Sequence, residues 1–347
     1  MGWKRGSWNK KIDGKLKIYA KIKAMAQIKI LDCTLRDGGY INEWNFGIDK
    51  IKSIAKNLIL SKIDFIELGF LTKEKSTFQT ALFNSFDVIK KITDEIQNFD
   101  NLCLMVQYLK FPLEEIIEKS PIKNIRVIFK KQDVINALAF CKKLKENGFN
   151  VFINPTYINQ YSHNELINLI SLVNSINPFC MTLVDTLGML KRSDIINLFK
   201  ILDANLEKNI SLGFHSHDNL GLAFLNAQAL IELSKKRDLI IDSSLFGMGR
   251  GAGNIQSELL VKYLNDNYNK NYDILTILKI MREEIEPIYN LKPWGATVPY
   301  YLAALNLCHP DYAKALEKKD LSIEKMDEIL KNIPEDKKTE FDVDVIK

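Results

Sequence analysis

Two histidines separated by one residue form the most informative pair in the sequence. His215 and His217 follow the apolar run 210–214, in a chain that has only four histidines. Side chains alternate along a strand, so both imidazoles point to the same side, roughly 7 Å apart. Imidazole is a common metal ligand, and the pair therefore favours a metal site over two histidines without a ligand.

A cation and a carboxylate follow the first apolar run. Arg36 and Asp37 precede Gly38 and Gly39, which permit an unusual backbone turn. On its own, Arg-Asp-Gly is typical of a surface ion pair. If its strand lies close to the histidine strand, Asp37 completes a site of two histidines and one carboxylate, with positions left for water and substrate.

A glycine-rich segment and polar residues near the ends of two apolar runs are further candidates for the functional site. The segment 247–253 has glycine at four of seven positions, which suits close backbone approach to a ligand, although a flexible connection is the alternative. Asn254, which follows it, offers a neutral oxygen of the kind that Mg²⁺ or Mn²⁺ binds. Glu67 and Asp185 lie near the ends of two other apolar runs. For both carboxylates, a buried ion pair or a helix cap is the alternative to a role in the site.

Eight short, largely continuous apolar runs indicate strands of a parallel sheet that is buried on both faces. They are 28–33, 63–69, 102–107, 125–129, 151–154, 180–184, 210–214 and 239–246. Amphipathic helices are predicted between them at 49–60, 81–96, 133–147, 164–175, 193–206, 220–234 and 255–265. Eight such units predict a closed (β/α)₈ barrel of the α/β class. An open doubly wound sheet is disfavoured because no G-x-G-x-x-G opens a helix after a strand.

The strand pattern stops near residue 270. We assign the catalytic barrel to residues 25–270 and a helical C-terminal region to 271–347, with helices at 274–289, 298–307, 311–318 and 323–331. Residues 1–24 carry eight basic side chains and one acid, a net charge of +7, so the rest of the chain carries −2 of the total of +5. Such an arm could contact nucleic acid or anionic lipid, but we interpret it as a poorly ordered extension.

Composition places the chain among cytoplasmic globular proteins. It is 46% hydrophobic and 26% charged, which is near the globular average. No apolar run is long enough to span a membrane, and the start lacks the apolar region of a secretory signal. The five cysteines form no C-x-x-C pair, which disfavours disulfides and structural zinc, and we expect reduced, mostly buried thiols.

Five motifs in order resemble one enzyme superfamily. They are TLRDG at 34–38, ELGF at 67–70, DTLG at 185–188, HSHDNLGLA at 215–223 and GMGRGAGN at 247–254. This order is similar to that of the HMG-CoA-lyase-like, or DRE-TIM, metallolyases. The resemblance covers residues 28 to about 262 and implies a (β/α)₈ barrel. It also implies a divalent metal ion, Mn²⁺ or Mg²⁺, bound by Asp37, His215, His217 and, as in some members, Asn254.

Within the superfamily, the sequence most resembles the pyruvate-type aldolases. The glycine segment lacks the catalytic cysteine of acyl-CoA lyases, and segments 294–302 and 306–310 resemble the helical appendage of 4-hydroxy-2-oxovalerate aldolases. Isopropylmalate-type synthases usually carry a long regulatory domain, whereas fewer than 80 residues follow the barrel here. The resemblance thus implies an aldolase that acts through the enolate of a 2-oxo acid and an aldehyde. A Claisen-type acyltransferase that uses an acyl-CoA is the alternative.

The resemblance also assigns roles within the site. A guanidinium at Arg36 would stabilise the enolate oxygen, and Asp185, Thr186 and Gly249 would contact the substrate. Tyr40 stands where well-known aldolases have a histidine base, and a phenol of pKa ≈ 10 is a poor base near neutral pH. Glu67, a hydroxide on the metal and His309 are the other candidates for the base. We expect small-molecule partners only, no nucleic acid or membrane, and a homodimer formed through the C-terminal helical region.

Overall fold

The computed structural model describes residues 26–74, 76–96 and 99–346, and eight of its parallel strands close into a barrel. The strands are β1 (Ile28–Asp32), β2 (Phe65–Leu71), β4 (Leu102–Gln107), β5 (Asn124–Phe129), β6 (Asn150–Pro155), β7 (Cys180–Asp185), β8 (Ser211–Ser216) and β9 (Leu239–Ser243), with the two-residue β3 (Leu82–Phe83) beside β2. β1 pairs with both β2 and β9, which closes the sheet. Since β9 also pairs with β8, only one strand separates β1 from the histidine strand. The predicted α/β barrel is confirmed.

Helices connect the strands and cover the outer face of the barrel. The α-helices are Thr34–Asp37, Gly39–Asn42, Ile48–Leu60, Phe86–Asp94, Leu113–Lys119, Val134–Glu146, His163–Ile176, Arg192–Asn205, Ala223–Leu233, Ser257–Asn267, Ile274–Ile280, Glu286–Leu291, Val298–Leu305, Pro310–Glu317 and Ile323–Lys331. A π-helical turn spans Met281–Ile285, and 3₁₀ turns span Lys131–Asp133, Ile158–Gln160, Leu245–Gly247 and Val343–Ile346. Because this layer buries the outward side chains, the strands are apolar on both faces.

Several elements differ locally from the sequence prediction. The helix expected at 81–96 begins only at Phe86, because Ser85 accepts a hydrogen bond from the backbone N–H of Asp87 and the short strand β3 precedes it. The helix Leu113–Lys119 was not predicted. β2 continues to Leu71, past the predicted end at Gly69. A Cβ at Gly69 would lie 2.0 Å from the carbonyl oxygen of Ala81, so only glycine fits there.

The C-terminal helices form a second, smaller core beside the mouth of the barrel. Tyr312 is completely buried in this core. The region contacts the loops after two barrel strands: the hydroxyl of Tyr157 donates to the carbonyl oxygen of Thr339 at 2.6 Å, and Lys130 pairs with Glu340 at 2.8 Å. The C-terminal residues therefore lie where the strands end.

Two remaining sequence predictions concern cysteines and termini. All five cysteines are free and buried, as predicted. The basic segment 1–24 lies outside the described residues. Within residues 26–74, 76–96 and 99–346, no helix is long and apolar enough to cross a membrane.

Candidate metal centre

Three buried side chains that can ligate a metal meet at the carboxyl end of the barrel. Asp37 ends the one-turn helix after β1, His215 lies in β8, and His217 directly follows β8. The ligand atoms of the three residues all lie within 4.8 Å of one another. The two imidazole rings are 5.1 Å apart between centroids. The structure thus brings together the cluster that the sequence predicted.

Asn254 completes the group of possible ligands. Its Nδ2 donates a hydrogen bond to Oδ2 of Asp37 at 2.7 Å. Its Oδ1 is buried and has no hydrogen-bond partner in the described part of the chain. A Cβ at Gly249 would lie 2.1 Å from Nδ2 of Asn254 and 2.7 Å from Oδ2 of Asp37, so any other residue here would displace these two side chains. One carboxylate, two imidazoles and one amide oxygen fit a divalent cation such as Mn²⁺ or Mg²⁺.

Both histidines contact groups whose position near them was not predicted from the sequence. Nδ1 of His215 lies 3.1 Å from Oδ2 of Asp242, which leaves Nε2 of His215 free for a ligand. Nδ1 of His217 lies 3.3 Å from the carbonyl oxygen of Gly253. Burial lowers the pKa of His217 to about 3, so its ring is neutral at physiological pH. A neutral imidazole is the form that binds a metal.

Arg36 is fixed beside the cluster by two carboxylates. Its Nη1 donates to Oδ1 of Asp37 at 2.6 Å, and its Nε donates to Oε2 of Glu67 at 2.7 Å. Nη2 makes no hydrogen bond within the described residues. Burial alone raises the pKa of Asp37, but Arg36 and the two histidines outweigh it and hold the pKa below its ordinary value. Asp37 is therefore ionised at neutral pH, which is the form of a carboxylate that binds a metal.

Glu67 lies within its strand rather than at the strand end. The sequence placed it at the end of its strand, but it lies in the middle of β2 and is completely buried. Its Oε2 also accepts a hydrogen bond from Nη1 of Arg126 at 3.0 Å. Arg126 in turn donates to Asp242. Side chains of alternating charge thus connect Arg36 to Asp242, whose carboxylate contacts His215.

The cluster opens into a small cavity of about 50 Å³ at the mouth of the barrel. Its walls include Arg36, Asp37, both histidines, Arg126, Asn154, Thr186, Tyr40 and Arg250. Thr186 lies in this wall, and its contact with the substrate stays a prediction. Asp185 and Gly249, which were expected to contact the substrate, do not line the cavity. The carboxylate of Asp185 accepts hydrogen bonds from the backbone of Met189 and Leu190, at 3.1 Å each, and so caps a turn.

The environments of the two other side chains considered as the catalytic base, Tyr40 and His309, disfavour that role. Burial raises the pKa of Tyr40 above its ordinary value, so its hydroxyl is protonated at neutral pH. His309 lies near the mouth but does not line the cavity. Its Nδ1 accepts from the backbone N–H of Asp311 at 3.1 Å and lies 3.2 Å from Nη2 of Arg250. Burial and the charge of Arg250 lower the pKa of His309 to about 2.

Known proteins with this architecture resemble the chain over most of its length. A 4-hydroxy-2-oxovalerate aldolase from Carboxydothermus hydrogenoformans is 26% identical over 266 residues, which cover 75% of this chain and 78% of that protein. A 2-isopropylmalate synthase from Staphylococcus carnosus is 25% identical over 74% of this chain and 51% of its own length. The solved N-terminal domain of a suspected aldolase from Bacteroides vulgatus superimposes with a TM-score of 0.73 at 27% identity, over 85% of this chain and 98% of that domain.

The family model named HMGL-like matches residues 27–283. This range contains every strand of the barrel and all four candidate ligands. The chain belongs to the HMGL-like family.

Proposed function

We propose that this protein is a divalent-metal-dependent aldolase, a carbon–carbon lyase that joins the enolate of pyruvate or a similar 2-oxo acid to an aldehyde and reverses that reaction. One observation carries the proposal: the guanidinium of Arg36 is fixed beside the Asp37 cluster and lines the cavity with Nη2 unengaged by the described residues. The similarity to proteins named 4-hydroxy-2-oxovalerate aldolase supports it.

Four residues would hold the metal ion, Mn²⁺ or Mg²⁺. They are Asp37, His215, His217 and, through the unpartnered Oδ1, Asn254. When bound, the ion supplies a Lewis acid that polarises the 2-oxo group of the substrate. The network of Arg36, Glu67 and Arg126 keeps these side chains in place before the substrate arrives.

The proposed reaction needs two proton movements and no redox change. In the direction of synthesis, a proton passes from C3 of the 2-oxo acid to solvent water, C3 bonds to the carbonyl carbon of the aldehyde, and the aldehyde oxygen takes up a proton from Tyr40. Nη2 of Arg36 donates a hydrogen bond to the 2-oxo oxygen, which gains negative charge in the enolate. Tyr40, which is protonated and lies at the mouth, donates the proton to the aldehyde oxygen and is then reprotonated by the proton that C3 released to solvent. In cleavage the same transfers run in reverse.

Pyruvate release tests the proposal. Purified protein is treated with EDTA, supplied with Mn²⁺ or Mg²⁺, and incubated with 4-hydroxy-2-oxo acids. We expect metal-dependent release of pyruvate that an Asp37→Asn variant lacks. A surface variant, Asp266→Asn, serves as the control, because Asp266 pairs with the exposed Lys262 and lies outside the cluster. Absence of pyruvate release from a broad panel of substrates would contradict the proposal.

A Claisen-type acyltransferase is the second candidate, and the similarity to 2-isopropylmalate synthases favours it. Such an enzyme condenses an acyl-CoA with a 2-oxo acid and releases free coenzyme A. A thiol reagent detects that product directly. Because all five cysteines of the protein are buried, the native protein contributes little background. Thiol release with acetyl-CoA and a 2-oxo acid would support this candidate over the aldolase.

Pairing of two copies through the C-terminal helices stays a prediction, which sedimentation velocity tests.

A further inference from the structure

A second cavity adjoins the first at the mouth of the barrel. It has a volume of about 290 Å³, compared with about 50 Å³ for the cavity at the metal cluster. Tyr40 and Arg250 line both cavities. The other walls of the second cavity come largely from the C-terminal helices, including Lys314 and Lys318. The two cavities therefore meet at Tyr40 and Arg250.

This arrangement indicates where the aldehyde lies. Strand residues such as Met105, Arg126 and Val184 wall the inner part of the first cavity, so a reaction partner reaches it from the mouth. A cavity of about 50 Å³ has little room beyond the 2-oxo acid. The part of the aldehyde that does not react must then extend past Tyr40 into the second cavity.

The second cavity is positively charged. Among the described residues, its walls carry the side chains of Arg250, Lys314 and Lys318 and one carboxylate, Asp311. Oδ2 of Asp311 lies 3.8 Å from Nη2 of Arg250. Lys314 and Lys318 form no ion pair with any carboxylate of the described residues. These two lysines are one helical turn apart and share a face of the helix Pro310–Glu317 and its C-cap.

Arg250 links this charge to the reaction site. Its backbone N–H donates to Oδ2 of Asp37 at 3.4 Å, and its guanidinium lies 5.4 Å from the centre of the Tyr40 ring. The backbone of Arg250 is thus tied to the metal cluster while its side chain lies between the two cavities. A ligand that binds this guanidinium is placed within reach of the 2-oxo acid.

We propose that the aldehyde substrate carries an anionic group, a carboxylate or a phosphate, which Arg250, Lys314 and Lys318 bind in the second cavity. The inference rests on the proposed aldolase function and names its substrate class. Lys314 and Lys318 are exposed and have no carboxylate partner among the described residues, so both ammonium groups are available to an anion in this cavity.

Matched pairs of aldehydes test the proposal with pyruvate as the 2-oxo acid. Propanal is compared with succinic semialdehyde, and glyceraldehyde with glyceraldehyde 3-phosphate. In at least one pair, we expect kcat/KM for the anionic member to exceed that for the neutral member by about tenfold or more, since charged hydrogen bonds are the strong ones. The preferred pair distinguishes carboxylate from phosphate. The preference should fall as salt concentration rises.

Substitution of Lys314 and Lys318 tests whether these side chains cause the preference for anionic aldehydes. Lys314→Gln and Lys318→Gln should reduce the preference for the anionic aldehyde, mainly through KM. Lys325→Gln is the matched control, because Lys325 lies on the next helix, pairs with Glu328 and lines neither cavity. Circular dichroism confirms that each variant is folded.

Exchange of the methyl protons of pyruvate in D₂O separates the two hypotheses. If the wild-type protein exchanges these protons but uses neutral and anionic aldehydes equally well, the aldolase function stands and this inference is wrong. A preference that survives both lysine substitutions would also overturn it. If the protein neither exchanges the protons nor releases pyruvate from 4-hydroxy-2-oxo acids, the proposed function fails and this inference fails with it.

Discussion

Oδ2 of Asp242 lies 3.1 Å from Nδ1 of His215 and also accepts a hydrogen bond from Nη2 of Arg126. Arg126 contacts Glu67 at 3.0 Å, and Glu67 contacts Arg36 at 2.7 Å. One network of buried charges therefore orients a proposed metal ligand and, at its other end, the proposed catalytic arginine. Removing any one side chain of this network leaves an oppositely charged side chain buried without its partner, which destabilises the folded protein.

The first prediction concerns metal affinity. Asp242→Asn should weaken Mn²⁺ binding by about 10- to 100-fold, because the neutral amide no longer fixes the tautomer and ring orientation of His215. Isothermal titration calorimetry on the EDTA-treated protein measures the affinity, and circular dichroism checks the fold. Asp266→Asn, on the surface, is the control. Equal Mn²⁺ affinity in Asp242→Asn and the wild type would show that Asp242 does not support the metal site.

The second prediction separates catalysis from metal binding. Arg36→Ala should retain the metal through Asp37 and both histidines, but kcat should fall by about 10²- to 10³-fold, because a preorganised donor to the enolate oxygen is lost. Arg36→Lys should recover little activity, since an ammonium cannot contact Asp37, Glu67 and the substrate in the same geometry. Steady-state kinetics and elemental analysis measure the two effects. A loss of bound metal as large as the loss of kcat would assign Arg36 to the metal site instead.

The third prediction assigns a proton to Tyr40. Tyr40→Phe should slow carbon–carbon bond formation while the exchange of the methyl protons of pyruvate continues, because the hydroxyl acts on the aldehyde oxygen and not on C3. Mass spectrometry follows the exchange, and product formation is measured in parallel. Tyr268→Phe is a control outside both cavities. If Tyr40→Phe slowed both reactions equally, the tyrosine would act before the aldehyde arrives.

The fourth prediction concerns stability and pH. Burial raises the pKa of Asp32 to about 6, against about 3.9 in an unfolded chain. Between these values the folded chain keeps a proton that the unfolded chain has released, so the free energy of unfolding falls as pH rises. Relative to that of Asp32→Asn, the free energy of unfolding of the wild type should fall from pH 4 to pH 6, by about 3 kcal/mol at most. Above pH 7, the difference in unfolding free energy between the two proteins should be constant.

Urea titrations of the EDTA-treated protein at several pH values measure this difference. Asp49→Asn is the control, because the Asp49 side chain is 96% exposed. A difference between wild type and Asp32→Asn that does not change between pH 4 and pH 6 would contradict the pKa of Asp32.

The barrel and the ligand cluster could be predicted because their signals are local. Strands buried on both faces are continuous apolar runs, and all eight runs form strands with ends shifted by at most three residues. His215 and His217 share one strand end, and strand order alone brings Asp37 close to them. Asn254 lies beside His217 through an isolated β-bridge, which the glycines before it permit.

The supporting residues could not be predicted in the same way, because their contacts join distant parts of the chain. Arg126 and Asp242 are charged residues within otherwise apolar strands. Their unusual position in the strand sequences is the feature that could have indicated that they support the site. Glu67 was misplaced because its strand continues through Gly69 with a register shift between Glu67 and Phe70. The approach of Arg250 to His309 depends on how the C-terminal helices pack on the barrel, which sequence periodicity does not specify.

The central claim is that this site forms the enolate of a 2-oxo acid with a divalent metal ion. Mass spectrometry of pyruvate incubated with the protein in D₂O tests it without knowledge of the aldehyde. We predict that deuterium enters the methyl group when EDTA-treated wild type is supplied with Mn²⁺ or Mg²⁺, and that neither the metal-free protein nor His217→Ala catalyses this exchange. Exchange at the same rate without metal, or in His217→Ala, would contradict the account.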